Sequence, residues 1–360
     1  MISNQILQNT IDGVKKICGA DCCVTDTEGT LLASSFSVPD TVLTAIPAFV
    51  DSRADSQIVA GYRFLRVMDD RETEYTLIME SVQDDTVCKL VAFQLQSLLA
   101  AYQERFDQDN FIKNLLLDNL LLVDIYNRAK KLHIDSQCKR VVYLIETTGE
   151  REVTDVDCLR ELFSDRRTRD FITAIDESSI VVVKELAEGD SHEELAENAQ
   201  RILDALSAQD RRPRVAYGNV VKELREVSKS YKEARMSMEV GKIFFEEKPI
   251  SAYSKLGIGR LIYQLPIPLC KMFIKEVFHN ISPESFDDET LMTIDKFFEN
   301  NLNVSETSRQ IFIHRNTLVY RLDKLQKTTG LDLRVFEDAI TFKIAMMVVK
   351  YMKHMETEEY

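Results

Sequence analysis

The chain has 360 residues and a formal net charge of −14, and 45% of its residues are hydrophobic against 29% charged. This is the composition of a soluble globular protein too long for a single core, so two or three domains are expected. No basic leader with an apolar core opens it, and no uninterrupted apolar run approaches membrane-spanning length, which predicts a cytoplasmic protein with no membrane partner. Seven cysteines, an odd number without a leader, point to reduced thiols rather than a disulfide framework.

In chain order, the first 80 residues begin with an amphipathic helix on Ile6, Leu7, Ile11 and Val14. Cys22-Cys23-Val24, the turn Asp26-Thr27-Glu28-Gly29 and Leu31-Leu32-Ala33 then read as a hairpin, because a Gly-bearing turn joins two apolar runs. Two more strands are expected at Tyr62–Val67 and Tyr75–Met79, joined around Asp69-Asp70-Arg71. A helix followed by a few antiparallel strands resembles the PAS- or GAF-like sensor modules of signalling proteins. Cys18, Cys22 and Cys23 are the one cluster to test for metal or redox chemistry. No His precedes His133 and no second Cys pair lies nearby, so a helix end and a buried strand account for them.

From Thr86 to about Lys131 the pattern is helical. Val87, Val91, Leu95, Leu98, Tyr102 and Phe106 follow at spacings of 4, 4, 3, 4 and 4, a seam that suits either a two-stranded coil or packing on the sensor itself. Residues 139–245 then alternate strand and helix: strand at Arg140–Glu146, helix at 155–163, a strand pair at 170–175 and 179–184, helix at 191–207 and strand at Arg214–Tyr217. A trailing helix at 221–240 carries Leu224, Val227, Tyr231, Ala234 and Met238 on one stripe. The order βαββαβ is the split, ferredoxin-like plan. Pro249, Pro266, Pro268 and Pro283 punctuate the stretch between 245 and 285, consistent with a connector, placed at 256–284. The expected division is therefore a sensor with its trailing helix at 1–110, a ferredoxin-like domain at 111–255, the connector, and a C-terminal domain at 285–360.

Residues 303–330, NVSETSRQIFIHRNTLVYRLDKLQKTTG, are the densest in information. Asn303 can cap a short helix, with Glu306 at its third position closing a capping box. A turn around Ile313 and His314 leads to a second helix, whose Leu318, Leu322 and Leu325 fall at i, i+4 and i+7 and so face a core. Asn316, Thr317, Tyr320, Lys324 and Lys327 then lie on or near the opposite face, flanked by Arg315 and Arg321. Between 309 and 327 five basic residues stand against Asp323, a local balance of +4 in an acidic chain. An evenly acidic protein would repel DNA, so this localisation matters. A short helix, a tight turn and a polar, basic second helix form the helix-turn-helix plan. Arg forks suit guanine, Asn suits adenine, a Thr methyl meets thymine, and later lysines suit phosphates. A last helix carrying Ile340, Ile344, Met347, Val348 and Tyr351 on one face is expected to close the core behind the pair.

His314-Arg315-Asn316-Thr317-Leu318, Tyr320-Arg321-Leu322 and Thr329-Gly330-Leu331-Asp332-Leu333 together resemble the C-terminal helix-turn-helix of the PucR and carbohydrate-diacid-regulator family, over about Thr290 to Met352. Ser308 stands where that family usually has Ala in the helix–helix contact, and serine is small enough to fit. The order of elements in 139–245, with Ala216-Tyr217-Gly218 and Ser230-Tyr231-Lys232-Glu233-Ala234, resembles the GGDEF-like middle domain of the same regulators. Asn4 to Ser35 resembles the start of their diacid-recognition domain. The fold class implied is α+β and multidomain: a PAS/GAF-like sensor, a degenerate GGDEF-like domain and an all-α helix-turn-helix domain.

The resemblance implies a bacterial, sequence-specific, DNA-binding transcriptional regulator rather than an enzyme. Arg315, Asn316, Thr317 and Tyr320 would read bases of double-stranded DNA, Arg321, Lys324 and Lys327 would hold phosphates, and His314 would shape the turn. A homodimer or larger even assembly is expected, since paired half-sites one helical turn apart are the usual solution. Active diguanylate cyclases carry a Gly-Gly-Asp/Glu-Glu-Phe hairpin, whereas this one reads Asp176-Glu177-Ser178-Ser179, with no glycine for close phosphate approach. No P-loop, GxSxG, HExxH or GxGxxG occurs, Gly257-Ile258-Gly259 is a turn, and no cofactor is expected. If the diacid resemblance extends to function, the effector is a small anion such as a sugar diacid or other small carboxylate, which an Arg fork would hold. In the strand at 62–67 Arg63 and Val67 share one face and Arg66 the other, making Arg63 the first candidate and Arg53 a second clamp. The competing account is that both balance nearby Asp51, Asp55 and Asp69. The rival function is a ligand- or nucleotide-binding signalling protein that acts through protein partners.

Overall fold

The computed structural model describes residues 2–52, 54–69, 72–80, 83–147, 153–163, 169–187, 192–208, 212–279 and 286–358. They form two compact units, Met1–Phe111 and Ile112–Tyr360.

The first unit begins with helix α1 (Asn4–Cys18), the hairpin β1 (Cys22–Thr25) and β2 (Leu31–Ser34), and two short helices, α2 (Asp40–Leu43) and α3 (Ile46–Asp51). Strands β3 (Ser56–Val59), β4 (Tyr62–Asp69) and β5 (Glu72–Glu80) follow, and then the long helix α4 (Asp85–Leu116), which runs on past Phe111. The sheet is antiparallel, in the order β2-β1-β5-β4-β3. The period-2 rule divides it cleanly. Leu65 and Val67 of β4 and Tyr75, Leu77 and Met79 of β5 pack with Leu7, Ile11, Val91, Leu95 and Leu99 of α1 and α4. Phe64 and Ile78 point the other way, onto Val42, Ile46 and Phe49 of α2 and α3. The expected helix and antiparallel strands are present, and the second helical cover and β3 are additions. Of the seam on α4, Val91 and Leu95 are buried in the core of the first unit and Val87, Leu98 and Tyr102 are partly buried against it. Phe106 is left 66% exposed. Most of the stripe is thus used within its own domain.

In the second unit α5 (Leu122–Lys131) stands apart from α4, because the chain turns at Asp118 with φ +63; the single helix expected to Lys131 is two. Then come β6 (Arg140–Glu146), α6 (Val153–Leu162), β7 (Phe171–Ala174), β8 (Ser179–Glu185), α7 (His192–Ser207), β9 (Arg214–Tyr217) and α8 (Val227–Phe244). With β10 (Ile250–Ala252) the sheet order is β10-β9-β6-β8-β7, the ferredoxin-like order extended at one edge by a strand parallel to β9. Val141, Tyr143 and Ile145 of β6 face α6 and α7. Val142 and Leu144 are equally buried on the face that α8 packs against, which is why β6 reads as a continuous apolar run. The approach of α8 needs Gly218: a Cβ there would lie 2.1 Å from the Ser230 carbonyl oxygen. The Ser230 hydroxyl in turn donates to the Asn219 carbonyl at 2.8 Å and accepts the Val142 N–H at 3.1 Å.

Of the stretch 256–284, expected as a connector, residues 256–279 are described and are built into the core instead. It holds α9 (Gly259–Ile262) and α10 (Ile267–Phe278). Pro266 and Pro268 do not break α10; they start it, since proline is tolerated in the first turn. Helices α11 (Asp288–Glu299), α12 (Val304–Gln310), α13 (Arg315–Thr329) and α14 (Phe336–Glu358) complete the chain. Phe278 of α10, Phe297 of α11, Leu318, Leu322 and Leu325 of α13 and Phe342 and Ala345 of α14 share one core. The expected face of α14 needs correction. Ala339, Phe342, Ala345, Val348 and Tyr351 are its buried positions, while Ile340 is exposed. Ile344 and Met347 pack on a second cluster with Ile262 and Cys270. Among the described residues no helix is long and apolar enough to cross a membrane.

Candidate nucleic-acid interface

Helices α11, α12 and α13 each start on a side chain suited to their first N–H groups. Asp287 caps α11, accepting the Thr290 N–H at 2.7 Å. The hydroxyl and N–H of Thr290 hold the Asp287 carboxyl below the usual carboxylate range, with Lys324 and Arg321 nearby adding to the effect. Asn303 caps α12, its Oδ1 accepting from Ser305 N–H at 3.0 Å and Glu306 N–H at 3.1 Å. The expected return bond from Glu306 is missing: the Asn303 N–H donates to the Asn300 carbonyl at 3.0 Å, and Glu306 pairs with Arg309 at 3.2 Å. His314 caps α13, its Nδ1 accepting the Asn316 N–H at 3.2 Å, so it shapes the turn. Gly330 ends α13 in the left-handed conformation at φ +80, its N–H reaching the Gln326 carbonyl at 2.7 Å.

Between α12 and α13 the turn is Ile311-Phe312-Ile313, and Ile311 and Ile313 pack on the shared core. Thr307 and Ser308 of α12 are buried. The Ser308 hydroxyl donates to the Ser305 carbonyl at 3.0 Å, so serine leaves no unsatisfied donor at this close helix–helix contact. The leucine stripe of α13 is buried, which turns Arg315, Asn316, Thr317, Tyr320, Lys324 and Lys327 outward, all exposed. Among the described residues Arg315, Lys324 and Lys327 make no ion pair. Asp323, the acid on α13, is met by Arg334 at 2.9 Å. The outward face is therefore polar and basic, and among the described residues its three cations make no ion pair.

Arg321 departs from the expectation that it holds phosphate. Its guanidinium is bonded to Glu289 and, at 3.0 Å, to the Thr293 hydroxyl, both on α11. Its side chain is only 21% exposed. It braces α13 against α11. In the first unit, Arg63 lies on the same face as Leu65 and Val67, as the strand period requires, but it is paired with Asp85 at the start of α4. Its partner is none of the three acids weighed from the sequence. Arg53 lies outside the described residues. Arg66 points to the opposite face and donates to the carbonyls of Phe49 and Val50 at 3.0 Å, and of Ser52, closing the end of α3. Sequence patterning did not single out two features. Phe312 is almost fully exposed in the turn. Thr25 and Thr76, paired across β1 and β5, have buried hydroxyls without a hydrogen-bond partner.

At the middle-domain hairpin, the Asp176 carboxylate accepts the N–H groups of Ser178 at 2.9 Å and Ser179 at 2.7 Å, so it shapes its own turn. Burial raises the Asp176 pKa, but these hydrogen bonds outweigh it and the net shift is downward. Among the described residues no group of His, Cys, Asp and Glu is arranged to hold a metal ion.

Residues 290–348 match the PucR C-terminal helix-turn-helix domain and residues 119–240 match the GGDEF-like domain, together about half of the chain. The chain belongs to the PucR and carbohydrate diacid regulator family. The carbohydrate diacid regulator of Escherichia coli is 23% identical over 67% of this chain and 66% of its own length. The purine catabolism regulatory protein of Bacillus subtilis is 26% identical over 39% of this chain and 27% of its own. The proline-responsive transcriptional activator PutR of the same organism is 28% identical over 38% and 34%. The chain thus spans just under two thirds of the first of these relatives and about a quarter to a third of the other two. In this PucR-type chain the two matched domains meet the described ferredoxin-like sheet and the α11–α14 bundle.

Proposed function

We propose that this chain is a sequence-specific DNA-binding transcriptional regulator in which α13 enters the major groove. One observation carries this: above a buried leucine stripe, α13 presents Arg315, Asn316, Thr317, Tyr320, Lys324 and Lys327 outward, its three cations unpaired among the described residues. Arg315, Asn316, Thr317 and Tyr320, in its first half, read base edges, and Lys324 and Lys327, one and two turns further on, hold phosphates. The chain acts on DNA as a homodimer or larger even assembly, each copy covering a half-site. Asp176 bonded into its own turn supports a regulatory domain rather than a cyclase. The N-terminal domain takes a small-molecule effector, and the name of the carbohydrate diacid regulator supports a small carboxylate such as a sugar diacid. With Arg63 paired to Asp85, that residue is an effector clamp only if the ligand displaces the acid.

The test is footprinting of the full chain on the DNA flanking its own gene, at two salt concentrations, with and without sugar diacids. Paired protected half-sites about one helical turn apart are expected, with affinity or spacing altered by the effector. Binding to that DNA no tighter than to random sequence would overturn the regulator reading.

A further inference from the structure

Phe312 occupies the turn between α12 and α13 with 95% of its surface exposed and φ at +56. Both facts are unfavourable for phenylalanine. A bulky side chain in the left-handed region is strained where glycine or asparagine would not be. Its ring contributes nothing to the fold: Ile311 and Ile313 on either side turn into the core, and Phe312 turns out. The turn itself needs only its backbone, with Phe312 N–H reaching the Arg309 carbonyl at 3.2 Å and Ile313 N–H the Ser308 carbonyl at 3.0 Å. An apolar ring turned outward, three residues before Arg315, sits at the end of α13 that leads into the groove.

We propose that Phe312 is a specificity-determining DNA contact that packs its ring on a thymine methyl group at the edge of the half-site. This rests on the DNA-binding reading above and adds an apolar contact to it. The major groove offers one apolar feature among the base edges, the thymine C5 methyl. The surroundings favour nucleic acid over a protein partner, because Arg309 and Arg315 flank the turn in sequence and the unpaired cations of α13 follow.

The experiment uses the full chain on its footprinted half-site pair, with wild type compared to Phe312→Asn and Phe312→Gly by fluorescence anisotropy across a salt series. Both substitutes accept positive φ, so melting temperature should hold or rise. Operator affinity is expected to fall roughly four- to tenfold per half-site, the scale of a lost methyl contact, with random-sequence affinity and the slope of affinity against salt unchanged. Replacing the contacted thymines by uracil should weaken the wild type to the same extent and the variants no further. Unchanged operator affinity in both variants would overturn the role of Phe312 alone. Equal loss on operator and random DNA, or additive loss with uracil, would overturn the thymine contact. A wild type that binds no DNA would remove the regulator reading and this inference together.

Discussion

Replacing Arg321 separates a brace from a phosphate contact. In sequence it stands with Lys324 and Lys327 as a basic residue of the reading helix; in the structure it reaches back to Glu289 and Thr293 on α11. Hydrogen bonds to a charged group contribute about 1.5–3 kcal/mol when the partners are out of water. Glu289 is 66% exposed, so the ion-pair part is screened and adds little. Thr293 is buried and keeps its own bond to the Glu289 carbonyl at 2.8 Å, so losing Arg321 leaves a lone pair unmet rather than a bare donor. Arg321→Ala is therefore expected to destabilise the C-terminal domain by about 1–2 kcal/mol, read as a lower urea midpoint at unchanged slope. Thr293→Val, which removes the acceptor on α11, should couple to it non-additively. On DNA under stabilising conditions, Arg321→Ala should leave the salt slope untouched, whereas loss of a phosphate contact lowers it by about 0.9. A reduced salt slope with no change in urea midpoint would refute the brace and restore Arg321 to the phosphates.

Arg315→Ala and Asn316→Ala should each cost about 1–3 kcal/mol of discrimination at one base pair, while Lys324→Ala weakens operator and random DNA alike; identical losses on both in all three variants would overturn this division. Asp176→Ala should loosen the β7–β8 turn by about 1 kcal/mol at neutral pH. Its folded pKa is depressed, so the stability Asp176 contributes is present above the ordinary carboxylate value of 3.8 and disappears as pH falls through the lower folded value. Wild type and Asp176→Ala should therefore converge in acid, and a gap that widens there would refute it. Thr76→Val removes a buried hydroxyl that has no partner, and by thermal melting it should be neutral or stabilising.

Patterns with local causes were legible in the sequence. The leucines of α13 at helical spacing, the Asn303 cap and the His314 turn each depend on residues within a few positions, and the structure has all three. Pairings decided across the fold were not. The partner of Arg321 lies 32 residues away on another helix, and that of Arg63 lies 22 residues on. Strands β3 and β10, four and three residues long, are too short to show a period. The face of α14 was misread because apolar residues run most of the way round it, and periodicity selects one stripe only where polar residues mark the other. Ile311-Phe312-Ile313 misleads in the opposite sense, for three apolar residues in a row suggest core while the middle one faces water.

The packing of 256–279 bears on how α11–α13 can move. A flexible connector would let them swing independently of the GGDEF-like domain, but α9 and α10 are packed elements. One helix, α14, joins both sides. Phe342 and Ala345 sit in the core with the α13 leucines. Further along, Val348 and Tyr351 sit in a cluster with Ile262 and Cys270, against Ile243 and Phe244 of α8. The Tyr351 ring lies 5.9 Å from that of Tyr263, and its hydroxyl donates to the Leu265 carbonyl at 3.4 Å. A hinge within 256–279 would strip these side chains of their partners, at about 1.5–3 kcal/mol for each large one exposed. The helices of the reading head therefore travel with α8 and with the sheet beneath it. On the proposed regulator reading, a signal that alters DNA binding acts on α8 to α14 together rather than by swinging α11–α13 about 256–279.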